Sequence, residues 1–140
     1  MADLFFLEKK YADEMIVHAR RESPNECCGI LAGVNNKVTK FYQTINSEHS
    51  PARYKIDSQQ MFAICKEIRE NGWEISGIYH SHVQTAAYPS PDDIKSAVLS
   101  GPVYFIVSLQ NPEQPVIKGF RILAGNITET ELRIAISGGY

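Results

Sequence analysis

Short apolar segments recur along most of this 140-residue chain and restrict it to a fold built around a β-sheet. The clearest are residues 27–34, 73–79 and 103–109, in which aliphatic and aromatic side chains predominate. Their lengths suit buried strands and lie far below the ~20 apolar residues that a membrane-spanning helix requires. We therefore predict a sheet and no transmembrane helix.

Helical segments separate these strands. Residues 9–22 place Tyr11, Met15 and His18 at the i, i+4, i+7 spacing of one helix face. The predicted helices are residues 9–22, a segment from the cap at 57–60 to Asn71-Gly72, and a segment from Ser90 to about Ser100. The predicted strands are residues 27–34, 37–45, 53–56, 73–79, 103–109, 116–123 and 127–136, with a hairpin turn at Asn35-Asn36.

This order of elements favours an α/β fold of the α+β type, a mixed sheet with helices on its faces. The length of the chain fits one domain over residues 1–140. Lys and Arg number 14 and Asp and Glu 16, without a long run of either sign. Because this balance offers no basic surface to a polyanion, nucleic acid is an unsuitable partner, and the apolar segments predict no membrane partner either.

The cysteines are poorly placed for disulfide bonds. There are three cysteines, an odd number. Cys27 and Cys28 are adjacent in the chain, and neighbouring cysteines rarely form a disulfide bond with each other. The first residues also lack the basic and apolar regions of a signal peptide. We therefore predict a reducing compartment and a cytoplasmic location.

His80-Ser81-His82 is the sharpest local signal for chemistry. At the end of a strand, residues i and i+2 point to the same side, so the two imidazoles would converge while Ser81 turns away. Taken alone, two histidines at this spacing are more often surface or loop residues than a metal site.

Asp93 could supply a third ligand from the first turn of the helix that Ser90 and Pro91 begin. The same residues form a capping box, and local sequence favours that structural role. The two roles are compatible, because the cap and the carboxylate can face the same cleft. Two histidines and one aspartate with a fourth position open are typical of a catalytic zinc site.

Such a zinc ion needs a base beside it, and Glu26 is the candidate. A surface carboxylate is an equally good interpretation of that position from local sequence. The remaining candidates are weaker. We expect His18 to be a packing residue, His49 to be solvated, and Cys27 and Cys28 to be core or strand-edge residues without a redox role.

Together these residues resemble the JAMM motif of the MPN+ metalloproteases, the Mov34/PAD-1-like family. The motif comprises Glu26 before the glycine-containing segment 27–34, then His80-Ser81-His82, seven residues, Ser90, two residues and Asp93. Many members have Thr between the histidines and Pro after them, where this chain has Ser81 and Val83. Neither position is a metal ligand, so only the shape of the loop is affected.

The resemblance implies a curved mixed sheet like that of the cytidine deaminases. It implies that His80, His82 and Asp93 bind Zn²⁺, that Glu26 is the general acid/base that activates water, and that Ser90 stabilises the oxyanion. Only seven residues separate His82 from Ser90, which leaves no room there for the long insertions that eukaryotic deubiquitinases use to hold ubiquitin chains, and this agrees with the small free-standing prokaryotic members.

The implied function is a zinc metallopeptidase that cleaves after the C-terminal Gly-Gly of a ubiquitin-like or sulfur-carrier protein. We expect the tail of that partner to lie extended along the sheet edge. The alternative is a metal-free MPN scaffold that binds partners. A nucleobase deaminase would need H-x-E and P-C-x-x-C sequences, and the chain has neither. The sequence leaves open the oligomeric state and the choice between a peptide and an isopeptide bond.

Overall fold

Seven strands pair into one sheet in the computed structural model, which describes residues 3–35 and 37–135. The strands are β1 (Leu4–Glu8), β2 (Cys28–Val34), β3 (Lys37–Thr44), β4 (Glu74–His82), β5 (Val103–Ser108), β6 (Val116–Leu123) and β7 (Asn126–Ala135). The helices are α1 (Lys9–Glu22), α2 (Ser58–Glu70) and α3 (Pro91–Ser96). The order is β1-β7-β6-β5-β4-β2-β3, with β1 and β7 parallel, β4 and β5 parallel, and the other pairs antiparallel. The mixed sheet with helices predicted from the sequence is confirmed.

The two faces of the sheet carry different layers. On one face, Met15 of α1 packs into a cluster with Tyr79 and Phe105. On the other face, Ile64 of α2 packs against β2, and Ile94 of α3 packs against a cluster that includes Ile78 of β4. Since residues of a strand alternate between faces, the end of β4 directs Ile78, His80 and His82 toward the α2 and α3 layer.

The strand predictions hold except at two places. The structure adds β1, which pairs with β7. Because β7 is far from β1 in the sequence, no local sequence pattern indicates this pairing. It also contradicts the strand predicted at residues 53–56, where the described backbone forms only the isolated bridge between Ile56 and Asn46. The predicted and described strands both number seven, but the predicted set includes residues 53–56 in place of β1. Ile136, at the end of the last predicted strand, lies outside the described residues.

The helix predictions hold at their beginnings. Tyr11, Met15 and His18 are all buried, as their spacing predicted, and the Asp57 carboxylate accepts a hydrogen bond from the Gln60 N–H at 3.0 Å. The third helix is shorter than predicted and ends at Ser96. After Ser96, the Tyr104 hydroxyl accepts a hydrogen bond from the Leu99 N–H and donates one to the Leu99 carbonyl. These two bonds replace the hydrogen bonds that a longer helix would have given Leu99.

Of the helices in the described residues, none has the length and apolar character that crossing a bilayer requires. The predicted turn at Asn35-Asn36 includes Asn36, which lies outside the described residues. The single domain over residues 1–140 and the cytoplasmic location stay predictions.

A methyl group at Gly29 is predicted to disrupt the centre of the sheet. It would overlap the Tyr79 ring and the Tyr42 carbonyl oxygen, both on neighbouring strands. We expect Gly29→Ala to lower the free energy of unfolding by about 1–3 kcal/mol, as overpacked cores do. Gly101→Ala is the control, because a methyl group there meets no described atom within 4 Å. Urea unfolding curves should separate the two variants, and equal stabilities would contradict the packing argument.

Candidate metal centre

The two histidines of β4 lie side by side at the end of a strand that is paired on both sides. Cys28 of β2 is opposite His80, and Ser108 of β5 is opposite His82. Both imidazoles are almost fully buried, and their Nε2 atoms are 3.2 Å apart. The convergence predicted from the i, i+2 spacing is confirmed.

Asp93 reaches the same point from the first turn of α3. Its Oδ2 lies 2.9 Å from His82 Nε2 and 3.1 Å from His80 Nε2. The same oxygen accepts a hydrogen bond from the Ser90 N–H at 2.9 Å, while Ser90 Oγ accepts one from the Asp93 N–H at 3.1 Å. The capping box is therefore formed, and it holds the carboxylate against the two histidines.

The chemistry of these three atoms calls for a cation between them. His82 Nδ1 is 2.9 Å from the Ala86 carbonyl and must donate to it, which leaves Nε2 with a lone pair. That lone pair faces the Asp93 carboxylate and the second imidazole, so a proton or a metal ion has to bridge them. Ligands bound in a tetrahedron at ~2.0–2.2 Å lie about 3.3–3.6 Å apart, and the three separations are only a few tenths of an ångström shorter. The buried group fits a metal ion.

The electrostatics of the cluster favour an ionised carboxylate beside the two imidazoles. Although burial by itself raises the pKa of Asp93, the hydrogen bonds with His80 and His82 hold that pKa well below its usual value. Burial dominates at His80 and lowers its pKa. At His82 burial also acts to lower the pKa, but Asp93 and the Ala86 carbonyl outweigh it and raise the pKa. The lowered pKa keeps the Asp93 carboxylate ionised, as binding to a cation requires.

Glu26 is buried immediately before β2, so it is not the surface carboxylate that local sequence equally allowed. Its N–H donates to the Ser50 carbonyl at 2.9 Å, and its carbonyl accepts from Asn46 Nδ2 at 3.0 Å. Its Oε1 atom has no hydrogen-bond partner among the described residues. Burial raises the pKa of Glu26 to about 8, with the nearby charges of His82 and Asp93 acting in opposite directions.

Three residues that hold this arrangement were not singled out by sequence reasoning. Asn46 bonds four backbone groups: its amide donates to the carbonyls of Glu26 and Arg53, and its Oδ1 accepts from the N–H groups of Glu48 and Lys55. An Asn beside Ser in a polar loop is a turn signal that could have identified it.

Ser81 and Tyr54 are the other two. Ser81 Oγ accepts from the Cys27 N–H at 2.8 Å and so fixes the residue after Glu26. Tyr54 stacks on His80 with the ring centroids 4.3 Å apart. The sequence predicted that Ser81 points away from the two histidines, but not that it accepts a hydrogen bond from the Cys27 N–H. No local signal marks Tyr54, because its contact joins a loop to a distant strand.

The weaker candidates behave largely as predicted. His18 is buried, with Nδ1 2.7 Å from the Tyr79 hydroxyl, and His49 is exposed. Burial raises the pKa of Cys27 to about 12 and that of Cys28 to about 11, which does not favour a reactive thiolate. All three cysteines of the chain are free.

Two cavities lie near the cluster, and residues of the loop 46–56 line both of them. The polar cavity, about 240 Å³, is lined by His18, Arg21, Glu22, Asn25, Glu26, Gln43, Thr44, Ile45, Asn46, His49 and Gln60. The apolar groove, about 630 Å³, is lined by Glu48, Arg53, Tyr54, Lys55, Ile56, Met61, Ile78, Asp92, Lys95, Ser96, Val98, Leu99 and Tyr104. Glu26 lines the polar cavity, whereas Tyr54 and Asp92, the residue before Asp93, line the apolar groove.

Comparisons with known proteins agree with this geometry. The family described as prokaryotic homologs of the JAB domain matches residues 8–123. The chain is 34% identical to the CysO-cysteine peptidase of Mycobacterium tuberculosis (strain ATCC 25618 / H37Rv), over 86% of this chain and 84% of that protein. It is 33% identical to the desampylase of Haloferax volcanii, over 69% and 74% of the two chains. The solution structure of protein DSY2949 from Desulfitobacterium hafniense superposes with a TM-score of 0.84, at 35% identity, covering 95% of this chain and 94% of that one.

Loss of the Asn46 side chain is predicted to destabilise the loop of residues 46–56, whose backbone and side-chain groups hold Glu26. Asn46→Ala leaves several backbone groups without partners, so we expect the free energy of unfolding to fall by on the order of 3 kcal/mol. Ser47→Ala is the matched control, since its exposed hydroxyl makes one hydrogen bond, to the Lys55 carbonyl. Chemical denaturation measures both, and a loss for Asn46→Ala no larger than the control's would show that the loop does not depend on it.

Proposed function

Because the chain belongs to the family of prokaryotic JAB-domain homologs, we propose that it is a zinc-dependent peptidase acting on ubiquitin-like or sulfur-carrier conjugates. The bond cut is a peptide or isopeptide bond after the C-terminal Gly-Gly of that partner. The peptidase class is that of the relatives named CysO-cysteine peptidase and desampylase. The observation that carries the proposal is the convergence of two imidazoles and one carboxylate beside a buried glutamate.

His80, His82 and Asp93 are the residues that would hold the metal. Two neutral nitrogens and one carboxylate oxygen suit Zn²⁺ with a fourth position left for exchange, which is the catalytic arrangement. A zinc ion at this point supplies Lewis-acid chemistry, polarising water and the scissile carbonyl.

Glu26 is the proton carrier in this proposal. It takes a proton from the attacking water and later gives one to the amine nitrogen as the C–N bond breaks, so that water is added across the amide. A carboxyl group with a pKa near 8 suits both transfers near neutral pH, because proton carriers work best when their pKa is close to the working pH.

Ser90 has a hydroxyl proton available for the oxyanion. Its Oγ accepts a hydrogen bond from the Asp93 N–H, and acceptance uses a lone pair only, so the O–H can still donate. A donor aimed at the developing negative charge stabilises the transition state. Ser90 therefore serves as both the helix cap and the oxyanion donor that the resemblance implies.

The carrier tail is better placed in the apolar groove than along the sheet edge expected from sequence. The end of β4 that carries the histidines pairs with β2 and β5, so it offers no free edge beside the metal ligands. The groove lies next to the cluster, because one of its wall residues, Tyr54, stacks on His80. Gly before the cut lets the scissile carbonyl approach the ligands and Ser90 without a side-chain clash.

Metal content tests the ligand assignment directly. We expect one zinc per chain after reconstitution and desalting, and large losses for His82→Ala and Asp93→Asn, since each removes one donor of the buried group. His49→Ala, at an exposed histidine outside the group, should retain the metal. Elemental analysis provides the measurement. Full zinc occupancy in the two ligand variants would refute the assignment, and a wild-type content near zero would favour the metal-free scaffold.

Catalysis is tested with a sulfur-carrier protein extended beyond its Gly-Gly, followed by mass spectrometry. Glu26→Gln removes the proton carrier without removing a ligand, so we expect zinc to stay bound and the rate to fall by on the order of 10²–10⁴-fold. Replacing the final Gly of the substrate by Val should also stop cleavage. Normal turnover by Glu26→Gln would assign proton transfer to another group, and equal cleavage of the Val substrate would refute the specificity.

A further inference from the structure

The polar cavity has the features of a site for the leaving group. Resting on the peptidase function above, we propose that it receives the amine product, a single α-amino acid, and that Arg21 binds the α-carboxylate of that amino acid. Arg21 stands on the last turn of α1, and His18, Glu22 and Asn25 line the cavity from the same helix and the turn after it.

The position of the proton carrier sets the direction in which the amine leaves. Hydrolysis adds hydroxyl to the carbonyl carbon, breaks the C–N bond and places a proton on the amine nitrogen. The group that delivers this proton has to face the departing nitrogen. Glu26 lines the polar cavity and is not among the residues that line the apolar groove, so the amine departs toward the cavity.

The size of the cavity suits a small amine product. A volume of about 240 Å³ lies below the ~300–1,000 Å³ of sites for drug-sized ligands and suits one small amino acid. The apolar groove, at about 630 Å³, has room for several residues of an extended tail. The difference assigns the carrier tail to the groove and the amine product to the polar cavity.

The charges of the cavity match those of a free amino acid. Arg21 Nη2 donates to Gln43 Oε1 at 2.7 Å, and Arg21 Nε lies 3.5 Å from Glu22 Oε2. These contacts orient the guanidinium, and its Nη1 atom keeps two N–H groups for a carboxylate. Glu26 lines the same cavity. Arg21 and Glu26 thus offer a cation for the carboxylate and an acid for the amine of one amino acid.

A pair of substrates that differ by one charge tests this assignment. Both are the carrier protein ending in Gly-Gly-Ser, one with a free terminal carboxylate and one with a carboxamide. We expect the wild-type enzyme to cleave the free acid with a kcat/KM about 10-fold or more higher, because a charged hydrogen bond has that effect. Arg21→Gln should lose this preference. Arg20→Gln is the matched control, since Arg20 donates to the Pro112 carbonyl and does not line the cavity, and it should keep the preference.

Binding to the zinc-free protein gives a readout that does not depend on turnover. Titration of ¹⁵N-labelled protein with millimolar L-alanine should shift the backbone amides of Glu22, Asn25 and Gln43, whereas L-alaninamide should not. Arg21→Gln should abolish the shifts and Arg20→Gln should keep them.

The outcomes separate the two proposals. Cleavage of both substrates at equal rates by the wild-type enzyme, or the absence of shifts with alanine, would overturn the assignment of Arg21 and leave the peptidase function standing. Failure to cleave either substrate would contradict the peptidase function, and the alanine titration would still decide whether the cavity binds an amino acid.

Discussion

One carboxylate oxygen, Asp93 Oδ2, is the point on which the candidate site depends. It lies within 3.1 Å of both imidazoles and also accepts the Ser90 N–H that begins α3. The same contacts that cap a six-residue helix therefore fix the third member of the cluster. Because a helix this short has little stability of its own, the cap and the ligand geometry depend on each other. Removing the cap would release the carboxylate, and removing the carboxylate would weaken the cap.

The central strand β4 joins this point to the rest of the protein through the alternation of its side chains. His80 and His82 meet Asp93 on one face, while Ser81, between them, bonds the backbone of Cys27. The residue before Cys27 is Glu26, so the strand that positions the histidines also positions the glutamate. This coupling explains why two segments far apart in sequence hold their functional groups in register.

The sequence predicted what depends on local pattern and missed what depends on distant partners. The spacing of His80 and His82 and the capping box of Asp93 are local, and both appear in the structure as expected. The strand β1 and the irregular backbone of residues 53–56 are set by contacts with remote parts of the chain; the first was not predicted, and the second was wrongly predicted as a strand. The burial of Glu26 belongs to the second kind, because loop groups such as Asn46 hold it in place.

The loop of residues 46–56 shows how an irregular segment can satisfy its backbone groups while it lines two cavities. It lacks strand pairing beyond one bridge, yet Asn46 satisfies four backbone groups that a strand would have paired. Two contacts then link the loop to both halves of the site: Ser50 accepts the N–H of Glu26, and Tyr54 stacks on His80. A regular strand would direct its side chains alternately to the two faces of the sheet. The irregular loop instead presents His49 to the polar cavity and Tyr54 to the apolar groove, so one segment contributes to two surfaces of different chemistry.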